Sequence, residues 1–121
     1  MKVESFRHLD VWQKSMDLVV GVYRVSASLP SNERFGLASQ IQRASTSIPC
    51  NIAEGFGASG GNFLRHVRIA RGSLMELETQ LELCVRLQLV SRDDIVPLWQ
   101  DAQVVGKMLT SLVKSLSKSD T

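Results

Sequence analysis

The sequence is poor in the residues that usually carry chemistry. Among its 121 residues are two histidines and two cysteines. His8 and His66 belong to no H-E-x-x-H or Glu-x-x-His pattern, so no metal centre, cofactor or catalytic residue is expected. Cys50 and Cys84 form no C-x-x-C pair and lie in apolar helical surroundings. They read as reduced core thiols, which excludes a disulfide framework and points to the cytoplasm. No segment approaches the ~18 consecutive apolar residues of a spanning helix. The start, Met1 to Arg7, lacks the apolar run of a signal peptide, so a soluble protein without a membrane partner is expected. The period-two alternation of strands is missing as well.

One glycine cluster is deceptive. Gly55-Phe56-Gly57-Ala58-Ser59-Gly60 fits G-x-G-x-x-G, with acidic Glu76 about 20 residues on. A dinucleotide fingerprint must follow a strand, and here it follows a helical pattern. The glycines read instead as a helix end and a turn. What survives is a helix start near residue 62 that could hold an anion, with Arg65, His66 and Arg68 close by. Net charge is only +2, but residues 1–72 hold nine Lys/Arg against five Asp/Glu, and residues 73–121 hold five against seven. That asymmetry permits a basic surface without requiring one.

Helical apolar periodicity is what the chain has in quantity. Residues 1–9 form a tail whose Phe6 and Leu9 can tuck under a first helix. That helix begins at Asp10, with Gln13 completing a capping box, and ends before Pro30. Ser31 is the expected N-cap of a second helix, with Glu33 in its first turn and Leu37, Ile41, Ala44, Ile48 and Ile52 on its core face. Pro49 deletes the bond to the Ser45 carbonyl at a cost of ~3 kcal/mol. The apolar stripe nevertheless keeps its phase through the proline, and Ile48 would be a poor cap for a separate helix. A single proline-kinked helix is therefore expected, with Ser45, Thr46 and Ser47 satisfying the loosened carbonyls. Asn62 caps a third helix, in which Phe63, Val67, Ala70, Leu74, Leu77, Leu81 and Cys84 alternate spacings of four and three as far as about Leu89. Asp94 caps a fourth, with Pro97 at its third position and Leu98, Ala102, Val105, Leu109, Leu112 and Leu116 in its seam. The expected fold is all-α, one antiparallel up-down-up-down four-helix bundle spanning residues 1–121.

Three sets of side chains remain as candidates. A polar stripe, Gln40, Arg43, Ser47, Asn51 and Glu54, runs beside the oily face of the second helix. If the second and third helices fold back about residue 60, Gln40 meets Gln80, Arg43 meets Glu76 and Glu78, Ser47 meets Ser73, and Glu54 meets His66. The preferred reading is a structural ladder that sets helix register, since half-buried polar groups need partners; the alternative is a small polar site. Arg65, Arg68 and Arg71 lie off the seam of the third helix, where RNA or DNA could be held through phosphates with little base specificity. The first helix carries two apolar stripes. Trp12, Met16, Val19 and Tyr23 suffice to close a bundle, which leaves Val11, Leu18, Val22 and Val25 as an oligomer contact.

Phe6 to Lys14, Leu37 to Ala44, Ser47-Ile48-Pro49-Cys50-Asn51-Ile52-Ala53-Glu54-Gly55 and Ala70 to Leu81 closely resemble the bacterial four-helix-bundle family of 23S rRNA intervening-sequence proteins. The resemblance covers nearly the whole chain, and its Asn-Ile-Ala-Glu-Gly element is specific. It implies an antiparallel bundle assembling as a ring, a homopentamer, and kinship with the accessory variability proteins of diversity-generating retroelements, basic rings that engage nucleic acid and a reverse transcriptase. The expected function is a non-enzymatic oligomer that scaffolds or binds RNA or DNA, or a nucleic-acid-processing protein. The alternative is a ring that contacts only proteins.

Overall fold

The computed structural model describes residues 5–58 and 61–119. Four α-helices carry the chain: α1 (Asp10–Ala27), α2 (Leu37–Gly57), α3 (Asn62–Arg86) and α4 (Arg92–Ser119), with 3-10 turns at Phe6–His8 and Ser31–Glu33. Among the described residues there is no strand. Helix α1 packs on α2 and α4, and α3 packs on the same two. Partners descend along one helix as they ascend along the next. Ser47 meets Ser73 and Asn51 meets His66 across α2 and α3, while Glu78 meets Gln103 and Glu82 meets Arg92 across α3 and α4. This is the all-α four-helix fold expected from the periodicity.

The helix ends differ from expectation in instructive ways. Gln13 donates its amide to the Arg7 carbonyl rather than closing a capping box on Asp10, and Leu9 occupies the N-cap position without a side-chain bond. Ser31 starts only a 3-10 turn. Helix α2 begins at Leu37, whose N–H is accepted by the Glu33 carboxylate at 3.3 Å. A carboxylate at a helix N-terminus satisfies one orphan donor and complements the dipole, so Glu33 does the capping that Ser31 was expected to do. Ser91, not Asp94, caps α4, accepting from the Asp94 N–H at 3.1 Å. Helix α3 stops at Arg86, and Gln88 follows with a positive φ of 61°.

Helix α2 runs unbroken through Pro49, which is buried. The Ser45 and Thr46 hydroxyls donate to the Gln42 carbonyl, and Thr46 also reaches that of Arg43. At Gly55 α2 and α3 approach closely: a Cβ built there would lie 2.6 Å from Cβ of His66. Beside it Phe56 and Phe63 meet edge to face, with centroids 5.8 Å apart.

The core contains Ile41, Ile48 and Ile52 of α2, Val67, Leu74, Leu77 and Leu81 of α3, and Ala102, Val105 and Leu109 of α4. On α1 the two stripes exchange roles. Val11, Leu18 and Val22 are buried in the chain's own core, and Val25 is half-buried against it, so these four are not an exposed oligomer contact. The outward residues are Met16, Val20 and Tyr23, flanked by half-buried Trp12 and Val19. Buried Ser15 and Ser26 complete the inner line. Each returns its hydroxyl to a carbonyl of its own helix, at Trp12 and Tyr23 respectively, so burying it leaves no donor unmade. Cys84 lies in the core, where burial, aided by the negative charge of Glu33, pushes its thiol pKa up. Cys50 is exposed on α2 rather than a core thiol, and both cysteines are free.

Candidate functional site

The polar seam between α2 and α3 falls into two halves. In the half toward the connecting turn every group is engaged. Asn51 Nδ2 donates to the Ser47 carbonyl at 2.9 Å and to Ser47 Oγ at 3.0 Å, which leaves Oδ1 to face His66 Nδ1 at 3.0 Å. That orientation makes His66 Nδ1 the donor. Glu54 lies 3.8 Å from the same nitrogen, and Ser47 and Ser73 share a 2.8 Å bond. These contacts realise the expected fold-back about residue 60. The other half departs from it. Among the described residues Arg43 makes no ion pair, and Glu78 turns to α4 instead, accepting from Gln103 at 2.8 Å. Burial raises the pKa of Glu78, and the bond from Gln103 partly offsets this. Gln40 and Gln80 line one groove with Arg43 and Glu76.

The arginines of α3 do not form one patch by themselves. Spaced three apart, they fan across roughly 120° of the helix surface. Arg65 and Arg68 are exposed, while Arg71 is half-buried beside a cavity of about 550 Å³ shared with Lys107, Thr110 and Ser111 of α4 and, at its far end, with Glu78. What unites them is the partner helix. Gly106 of α4 sits against Leu74, with Gln103 bonded to Glu78 on one side and Lys107 sharing a cavity with Arg71 on the other, so the C-terminal half of α4 lies beside the N-terminal half of α3. Between residues 62 and 75 and between 102 and 119 there is no Asp or Glu, while Arg65, Arg68, Arg71, Lys107, Lys114 and Lys118 all fall there. Glu76, Glu78, Glu82, Asp93, Asp94 and Asp101 occupy the opposite halves. There Glu82 accepts from Arg86 and from both terminal nitrogens of Arg92, and these bonds, Arg92 first, hold its carboxyl at a pKa of about 2. By sequence alone the α4 lysines read only as complements to the negative end of the helix dipole. Laying α3 against α4 in opposite directions would have shown the acid-free half.

Among the described residues no helix is long and apolar enough to cross a membrane, and no group of three His, Cys, Asp or Glu side chains could hold a metal ion.

Fold and surface together define a small all-helical bundle whose arginines and lysines gather on adjoining stretches of α3 and α4. Residues 7–111 match the family model of the 23S rRNA-intervening sequence protein, and the chain belongs to that family. It is also similar to the crystal structure of a protein of unknown function from the S23 ribosomal protein family of Bacteroides thetaiotaomicron. That similarity has a TM-score of 0.79 at 30% identity and covers 86% of this chain and 98% of that one. Among curated proteins none matches.

Proposed function

We propose that the protein is a non-enzymatic, cytoplasmic bundle that binds the phosphates of RNA or DNA with the paired basic halves of α3 and α4. The observation that carries this reading is the gathering of Arg65, Arg68, Arg71, Lys107, Lys114 and Lys118 on adjoining stretches of α3 and α4 that themselves contain no Asp or Glu. Clustered cations that outnumber the neighbouring carboxylates attract a polyanion, and with no base-reading motif the contacts are to backbone phosphate. The name of the family, which refers to an insertion in ribosomal RNA, agrees with a nucleic-acid setting. Fluorescence anisotropy with a generic labelled RNA tests the reading. Replacing Arg65, Arg68 and Lys114 together by Gln should weaken binding at least tenfold. Failure of the wild-type chain to bind at low salt would overturn it.

The same reading has the bundle act as a closed homo-oligomer, and two exposed apolar surfaces support this. One is Met16, Val20 and Tyr23 on α1; the other is Met75 and Leu83 of α3 with Trp99 of α4. Two different patches on one chain suit head-to-tail contacts, which close into rings. The resemblance to the intervening-sequence family supports five subunits. A ring that holds only a protein, such as a nucleic-acid-processing enzyme, is the second reading, favoured by the exposure of these apolar side chains.

A further inference from the structure

The open half of the α2–α3 seam is a groove of about 480 Å³, within the size range of small-molecule sites. Ala44 is its one apolar lining residue, and the small side chain leaves the hollow. Gln80 lines it while only 8% exposed, and its Oε1 is buried with no hydrogen-bond partner. Above it, Arg43 and Glu76 stand on opposite helices at matching levels of the fold-back, yet they form no ion pair. At the closed end, the bond between Ser47 and Ser73 uses one hydroxyl proton and leaves the other without an acceptor among the described residues. Buried polar groups in native proteins are ordinarily satisfied, and the one buried side-chain atom without a partner among the described residues belongs to Gln80, which lines this hollow beneath exposed Arg43 and Glu76.

We propose that this groove binds a small zwitterion, a free α-amino acid or a molecule with the same pair of charges. Its carboxylate is taken by Arg43 and its ammonium by Glu76. The amide of Gln80, turned about its soft terminal torsion, offers Oε1 to an ammonium N–H. The spare serine hydroxyl donates to the carboxylate. Opposite charges facing each other across neutral amides select against a lone anion or a lone cation. The absence of an aromatic ring from the lining selects against a nucleobase, which is generally held by stacking. This inference is independent of phosphate binding by α3 and α4.

The test is thermal shift and isothermal titration of the full chain with each standard amino acid, alongside N-acetyl and amide derivatives that lack one charge. At least one zwitterion should raise the melting temperature saturably, and its two derivatives should not. Arg43→Met and Glu76→Gln should each weaken binding at least tenfold. Gln80→Leu should melt higher than wild type without ligand, because it removes a buried orphan, and should bind more weakly, which separates lost binding from lost folding. No shift with any amino acid would overturn the proposal. So would equal binding of the derivatives, or binding that survives Arg43→Met and Glu76→Gln, since the groove would then not be the site.

Discussion

Replacing Asn51 by alanine removes three hydrogen bonds at once from the closed half of the α2–α3 seam, two to Ser47 and one from His66. At a net ~1 kcal/mol each these amount to roughly 3 kcal/mol. Alanine returns ~0.6 kcal/mol through its better helix propensity, so a net loss of about 2 kcal/mol is expected. The assay is urea denaturation at one fixed protein concentration, because an oligomer's stability depends on concentration. The midpoint should fall with an unchanged slope. Ser47→Ala alone loses two side-chain bonds and should cost about 1.5 kcal/mol after the propensity gain, and the Ser47/Asn51 double-mutant cycle should give a coupling of about 1 kcal/mol. An Asn51→Ala midpoint within 0.5 kcal/mol of wild type would refute the view that these bonds, two within α2 and one across to α3, stabilise the closed half of the seam.

Other outcomes follow from single positions. Gly55→Ala should cost about 1–3 kcal/mol, read from the same denaturation curve, because its Cβ would meet the His66 Cβ at 2.6 Å with only backbone movement to relieve it. The Glu82 carboxyl has its folded pKa lowered to about 2 from 4.5, so its contribution is present above pH 4.5 and is lost as pH falls toward 2. Glu82→Gln should flatten the acid limb of the stability curve measured over that window. Glu78 is the converse case: its folded pKa is raised, so its ionisation opposes folding above the ordinary carboxylate range, and Glu78→Gln should stabilise at neutral pH and not at pH 3. Val20→Glu should leave the fold intact and give smaller species in sedimentation. Val22→Glu, which buries a charge in the core, should unfold the chain.

How much of this was legible in the sequence depended on whether one signal or two competed at a position. The α3 seam from Phe63 to Cys84 was clear because a single four-and-three repeat runs its length. Val67, Ala70, Leu74, Leu77, Leu81 and Cys84 are all buried. Helix α1 misled because its larger side chains, Trp12, Met16 and Tyr23, make the stronger apolar stripe by eye. The true inner line is interrupted by Ser15 and Ser26, whose self-satisfying bonds no period count reveals. The seam register was legible at Ser47 and Ser73 because the turn fixed the arithmetic. Arg43 was misjudged because matching level does not guarantee contact: long side chains on a half-open surface gain little by pairing. The basic half was hidden because its two parts are distant in sequence and only adjacent after folding.

The most direct test of the central claim is the salt dependence of RNA binding. Six phosphate contacts on a single strand give a slope of about −4 in log affinity against log salt, a loss of roughly 300-fold between 50 and 200 mM. A wild-type slope near −4 that shrinks by about 2 in the Arg65→Gln, Arg68→Gln, Lys114→Gln triple variant is the predicted result. A slope near zero, or one that the three substitutions leave unchanged, would contradict phosphate binding by α3 and α4.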